Sequence, residues 1–237
     1  MCYHTHTPSK KELRELLGDK YVFIPSNHYY HVSGFTYPDL PVITAEQPFT
    51  VAPMHWGLIP GWAADKAAAN EIRAKTLNAT CEGIFEKNSF KASITHHRCL
   101  IFVDGFFEWQ HAGTKKIPWY IYAANEKPMT FGGIYSRWTD KTTGEVLETC
   151  SIITTPANEL MAQIHNTKKR MPLILDNAGC DLWLDTKATR EAITDVMRPA
   201  PDNVLKAHKI SGLITSRTKD SNVPEVILPV ATSELFS

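Results

Sequence analysis

The stretch Cys99-Leu100-Ile101-Phe102-Val103-Asp104-Gly105-Phe106-Phe107-Glu108-Trp109-Gln110-His111 decides how this chain folds. Two runs of β-branched and aromatic residues are divided by Asp104-Gly105, a turn-prone pair. The pattern predicts strands over Cys99–Asp104 and Phe106–His111. Pro118–Ala123, Met129–Tyr135 and Val146–Thr154 continue it, with Gly, Pro, Lys and Asn between them. Strands that follow one another without intervening helices predict hairpins and a mainly antiparallel sheet.

Helical signals lie on both sides of this run. Upstream, Ser9-Lys10-Lys11-Glu12 fits a capping box, Leu13, Leu16 and Leu17 follow at helical spacing, and Gly18 is a stop. Tyr21–Ile24 and Pro41–Thr44 read as short strands. Phe49–Leu58 reads as a longer one, ending at Trp56-Gly57-Leu58-Ile59-Pro60. Residues 64–80 show no clean period. Ile84, Phe85, Phe90 and Ile94 predict a helix over Glu82–His96. Downstream, Thr155-Pro156 predicts a helix start running towards Ile164. Met171–Leu175 and Val204–Ser211 read as strands, and Asn177–Leu184 and Thr189–Met197 as helices. The expected fold is α+β: a mainly antiparallel, barrel-like sheet flanked by helices, in a single domain over residues 1–237.

Composition narrows the function. The 237 residues carry 43% apolar and 21% charged side chains, near the globular average, which excludes disorder and coiled coil. Uncharged apolar runs such as Cys99–Val103 fall far short of the ~20 residues that span a bilayer. The first residues lack the charged and apolar regions of a secretory leader. Five cysteines with no CxxC pair predict a reducing, cytoplasmic setting. Lys plus Arg equals Asp plus Glu at 25 each. That argues against a chain-wide electrostatic nucleic-acid binder while leaving room for a local basic groove. His4, His6, His96 and His97 match no common zinc spacing, so neither metal nor cofactor is expected.

Cys2 carries the most chemistry. Methionine aminopeptidases require a small second residue, and removal of Met1 leaves a free α-amine beside a thiol. Their reference pKa values are ~7.7–8.0 and ~8.5, so both are partly unprotonated nucleophiles near neutrality. The amine can form an imine with a carbonyl carbon, and the tethered thiol can then close a five-membered thiazolidine. A cysteine at this position is also compatible with an incidental occurrence. Glu108, between aromatic neighbours on a predicted strand, is a candidate general acid or base with a raised pKa, or a salt-bridged strand carboxylate. His165 stands at a predicted helix end before Lys168, Lys169 and Arg170, where a dipole cap is the alternative.

Together these segments resemble the SOS-response-associated peptidase (SRAP) family, whose members crosslink to abasic sites in DNA. The matching landmarks are Met1-Cys2, Trp56-Gly57-Leu58-Ile59-Pro60-Gly61-Trp62, Asn70 with Arg73 and Thr76, Arg98-Cys99-Leu100-Ile101, Gly105-Phe106-Phe107-Glu108-Trp109, and Ile164-His165 with Arg170-Met171-Pro172. The resemblance implies that mature Cys2 is the crosslinking residue, that Asn70 positions it, and that Glu108 and His165 are catalytic. It also implies that Arg73 contacts the DNA backbone. Tyr3-His4 stands where many members have Gly-Arg, which leaves His4 or another cation to replace a phosphate contact. Lys75 stands where an acidic residue is common.

The expected partner is single-stranded DNA containing abasic sites, with no membrane. Arg73, Lys75, Arg98, Lys168, Lys169 and Arg170 form the expected phosphate track, and Trp62 and Phe106 are candidate stacking or wedge groups. The alternative is a thiol peptidase using Cys2, His165 and Glu108 as nucleophile, base and orienter.

Overall fold

The computed structural model describes residues 2–230. In chain order the first half contains β1 (His4–His6), α1 (Lys10–Leu17), β2 (Val22–Phe23), β3 (Val32–Ser33), β4 (Asp39–Thr44), β5 (Gln47–Trp56), α2 (Lys66–Arg73), β6 (Asn78–Thr80), α3 (Lys91–His96) and β7 (Arg98–Val103). The second half contains β8 (Gly105–Ala112), β9 (Lys115–Ala123), β10 (Met129–Thr139), β11 (Val146–Pro156), α4 (Glu159–Ile164), β12 (Arg170–Pro172), β13 (Ile174–Leu175), α5 (Asn177–Leu184), α6 (Arg190–Val196) and β14 (Leu205–Lys209).

β7 explains the layering. All six of its residues are buried. Successive side chains of a strand point to opposite faces. Cys99, Ile101 and Val103 enter one core with Leu40, Trp56, Phe131 and Ile152. Leu100 and Phe102 enter a second core with Leu13, Ile94, Trp183 and Ile193, residues carried by the helices. A strand buried on both sides needs a filled interior and a helical cover, and the pairings supply the interior. β11 pairs with β10, β10 with β7, β7 with β4 and β4 with β5. β5 returns to β11 in parallel, which closes the ring into a barrel. A separate five-stranded sheet runs β14-β9-β8-β1-β3.

The α+β, mainly antiparallel, barrel-like reading holds, and the capping box at Ser9 and Glu12 is present. Three local expectations are corrected. The helix expected over Glu82–His96 is turns up to Phe90, then α3; Gly83 at φ 68° leaves the helical region and divides the segment. Thr155-Pro156 does not open a helix. It extends β11 against Met171 and Arg170, and Asn158 caps α4. Met171–Leu175 is two short strands, β12 on β11 and β13 on β10.

Candidate active site

β8 carries the site because it divides its side chains cleanly. Phe106 and Glu108 share one face, with Phe106 packed in the barrel core beside Phe131. Phe107 and Trp109 take the other face, in a cluster with Ile210 and Val226. β1 lies along β8 with Thr5 opposite Phe106. That pairing delivers the start of the chain to Glu108.

Cys2 is fully buried in the same core as Phe106. Burial, and then the charge of Glu108, push its thiol far above the ordinary range. The thiol therefore stays protonated until a base takes its proton. Its Sγ lies 3.8 Å from the His4 carbonyl. The Cys2 carbonyl accepts a 2.7 Å hydrogen bond from Asn78 Nδ2. Asn78 comes from β6, which is held in register by β11 through Ile152.

Glu108 is 6% exposed, and burial raises its carboxyl to about 7. A group that is half ionised near neutrality can both give and take a proton. Glu108 Oε1 stands 3.8 Å from His165 Nδ1. That nitrogen also lies 2.9 Å from the Arg170 carbonyl, an acceptor only, so Nδ1 carries the hydrogen and Nε2 is the basic nitrogen. Burial lowers the His165 pKa and keeps the ring neutral. His165 ends α4, its N–H bonded to the Met161 carbonyl. The next residue, Asn166, pins this corner to β8. Its side chain accepts from His111 N at 3.0 Å and donates to His111 O at 2.8 Å.

Cys2, Glu108 and His165 thus converge, and Asn70 does not join them. Asn70 is exposed on α2. The amide at Cys2 is that of Asn78, which sequence reasoning missed. Its signal is an amide between Leu77 and Ala79 in an extended segment, a polar side chain where burial demands a partner. Asn166 was missed too, and a loop asparagine in Ile164-His165-Asn166 offers no periodicity to mark it.

The expected phosphate track divides. Arg98 leaves it: the side chain is 3% exposed and donates to the carbonyls of Ile94, Thr95, Trp183 and Asp185. It ties the ends of α3 and α5 together. Arg170 is half-buried and committed to Glu82 at 2.6 Å and to the Thr154 carbonyl. Lys75 is exposed and paired with Glu71 at 2.7 Å. Lys168 and Lys169 are exposed. Arg73 stacks on Tyr37 at 4.1 Å, with Nε and Nη2 lacking hydrogen-bond partners. Trp62 is 58% exposed, whereas Phe106 is wholly buried and is no wedge. His4 supplies no replacement cation. Burial and then His31, at 2.9 Å, lower its pKa to about 4, so the ring is neutral at pH 7.

The family model for SOS response associated peptidase (SRAP) matches residues 1–217. The abasic site processing protein YoqW of Bacillus subtilis is 35% identical over 210 residues, covering 86% of this chain and 89% of the relative. The abasic site processing protein HMCES of Gallus gallus is 32% identical over 199 residues, 75% of this chain but 56% of the relative. A crystal structure of a Bacteroides thetaiotaomicron protein superposes with a TM-score of 0.90 at 36% identity, covering 97% of this chain and 100% of that one. The fold, the geometry at Cys2 and these matches agree, and the chain belongs to the SRAP family.

Proposed function

We propose that this protein processes abasic sites by forming a thiazolidine crosslink between mature Cys2 and the ring-opened sugar of single-stranded DNA. The observation that carries the reading is the convergence on Cys2 of a carboxyl titrating near neutrality and a neutral histidine, with Asn78 clamping the Cys2 backbone. In the encoded chain the Cys2 nitrogen is bonded to Met1, so removal of Met1 is the first requirement.

The abasic sugar is mostly a closed hemiacetal. Opening moves a proton from the anomeric hydroxyl to the ring oxygen, work suited to Glu108 and His165. The Cys2 amine attacks the aldehyde carbon; loss of one water gives the imine. The Sγ–carbon bond then forms, the imine nitrogen gains a proton, and the thiol loses its own. Glu108 accepts that proton, because the thiol is too weakly acidic to ionise unaided. The net change is loss of one water. Ring closure removes the imine that would otherwise promote β-elimination, so slow closure would appear as weak lyase activity. Arg73, Lys168, Lys169 and the exposed face of Trp62 are the groups offered to the strand, with Lys75 once released from Glu71. A single strand presents the lesion sugar without unstacking. No helix of the described residues is long and apolar enough to cross a membrane, and a cytoplasmic location near DNA is the setting this reading requires.

Mass spectrometry of Met1-free protein with abasic single-stranded DNA tests it. The expected product is protein plus oligonucleotide minus one water, heat-stable, and absent from Cys2→Ala. No adduct from wild type, or turnover of peptides instead, overturns the proposal in favour of a binding or thiol-peptidase role.

A further inference from the structure

Phe35 is 56% exposed on a turn whose backbone is fixed. The turn, Gly34–Thr36, follows β3. Gly34 N donates to the Tyr3 carbonyl at 2.8 Å, and Tyr37 N donates to the Gly34 carbonyl at 3.0 Å. Thr36 Oγ1 donates to the Ser33 carbonyl at 2.8 Å. Gly34 lies on the Trp56 indole, where a Cβ would stand 3.1 Å from the ring. One exposed apolar ring is ordinary; the neighbour of this one singles it out.

That neighbour is Tyr3. The two ring centroids are 5.1 Å apart, within the range of aromatic pairs. Tyr3 follows Cys2 directly. Thr5 stands opposite Phe106, and side chains alternate along a strand, so Tyr3 falls on the sheet face of Phe106 and Glu108. It packs against the core that holds Cys2. Phe35 thus carries an aromatic surface outward from the residue beside Cys2. The same turn brings a cation. Tyr37, two residues on, has the Arg73 guanidinium over its ring at 4.1 Å. The carboxylate that follows in sequence, Asp39, is bonded to His55 at 2.7 Å. A π face and a cation on one rigid turn suit a nucleotide, which presents a base and a phosphate.

An abasic sugar has no base, so each base beside it lacks a stacking partner on the side of the lesion. Resting on the crosslinking reading above, we propose that Phe35, backed by Tyr3, fills that gap by stacking on the nucleobase immediately next to the abasic sugar. The pair then selects lesions that keep an intact base on that flank. Stacking one base on a protein ring is worth about tenfold in affinity.

Fluorescence anisotropy with single-stranded oligonucleotides carrying tetrahydrofuran, an abasic analogue, tests this. The analogue has no anomeric hydroxyl and cannot open to an aldehyde, so binding is read separately from crosslinking. Three oligonucleotides are compared: bases on both sides of the lesion, no base on one side, and no base on the other. Wild type is expected to bind about tenfold more weakly when the base is missing from the flank that meets Phe35. Phe35→Ala is expected to lose that dependence and to bind the fully based oligonucleotide about tenfold more weakly than wild type does. Phe35→Trp restores both. The position is exposed, so neither change disturbs the core. Equal wild-type binding to all three overturns the proposal. So does a Phe35→Ala chain that keeps the full dependence, which would leave the ring pair to a protein partner. Absence of crosslinking at a natural abasic site overturns the Cys2 chemistry and leaves the stacking result standing; no binding of any of the three overturns both.

Discussion

Glu108 and Asp104 lie four residues apart on the same stretch of chain, roughly 13 Å by strand geometry, and burial raises both carboxyls to about 7. Their surroundings differ. Glu108 faces the barrel core and a buried cysteine, and the exposed charges that follow its histidine partner are Lys168 and Lys169. Asp104 faces a cavity lined by no cysteine, and the exposed rim is largely carboxylate. A carboxyl poised near neutrality is therefore not by itself a catalytic centre. The group it can exchange a proton with, and the sign of the charge around it, decide whether it can take part in a reaction.

The comparison breaks most visibly at Glu108. Glu108→Gln is expected to slow crosslinking by about 10²–10⁴-fold, the usual worth of a general acid–base. The pH profile is the sharper measurement. With imine formation as the slow step, the reaction needs the free Cys2 amine and a protonated Glu108 to expel the hydroxyl as water. Wild-type rates then rise as the amine loses its proton, at an ordinary ~7.7–8.0, and fall as Glu108 ionises above about 7. The carboxylate left by that step is the one that takes the thiol proton. The variant keeps only the rising limb. A falling limb that persists in Glu108→Gln would remove Glu108 from proton transfer and make the two carboxyls equivalent.

Asn78 comes next. Asn78→Ala leaves the buried Cys2 carbonyl without its partner, at a cost of about 1–3 kcal/mol. Crosslinking is expected to slow about tenfold or more, with thermal unfolding still cooperative. Asn70→Ala, on an exposed helix face, is expected to leave the rate unchanged. The reverse result would restore the sequence reading over the structural one.

That pair marks how far the sequence reaches. The strands from β7 to β11 were legible as strands because alternation and turn residues are local signals, and so were the cap at Ser9 and the helix over Asn177–Leu184. Asp104-Gly105, however, passes the chain from one sheet to the other and closes no hairpin between β7 and β8. Cys2, Glu108 and His165 stood out by residue type and neighbours, and the structure brings the three together. What was not legible depends on contacts distant in sequence. Asn78 reaches Cys2 across 76 residues. Arg98 looks like a free cation until Trp183 and Asp185 arrive from 85 and 87 residues away. Pro156 imitates a helix start because its pairing with Arg170 is invisible locally. His6 meets the Tyr120 hydroxyl from 114 residues away, and only the β8–β9 register lays Tyr120 over Gly105 to allow it.

Asp104→Asn sharpens the other side of the comparison through stability. The folded carboxyl keeps its proton up to about 7, whereas the unfolded one loses it near ~3.9. Between those values the native state binds the extra proton, so this group makes stability fall as pH rises, by up to about 1.4 kcal/mol per pH unit. His4, His6 and His31, lowered to about 4 by burial, act in the opposite sense below ~6.5. The difference between variant and wild type isolates Asp104. In urea titrations from pH 4 to 7, the variant is expected to gain steadily on wild type. A pH-independent difference would show that Asp104 is ionised in the folded state.

The smallest expected effect tests the sign of charge at the crosslinking end. Lys169 sits at φ 48°, so asparagine, which tolerates that conformation, replaces it with little strain. Lys168→Gln with Lys169→Asn removes two exposed cations near His165 and touches no buried group. Each phosphate neutralised on a single strand contributes about 0.7 to the slope of log affinity against log salt, so the slope is expected to fall by about 1.4. Crosslinking at saturating DNA should be unchanged, because neither lysine reaches the reacting atoms. An unchanged salt slope would mean that the strand runs elsewhere, past Arg73 and Trp62, and that the two ends of β8 are not distinguished by the charge of their rims.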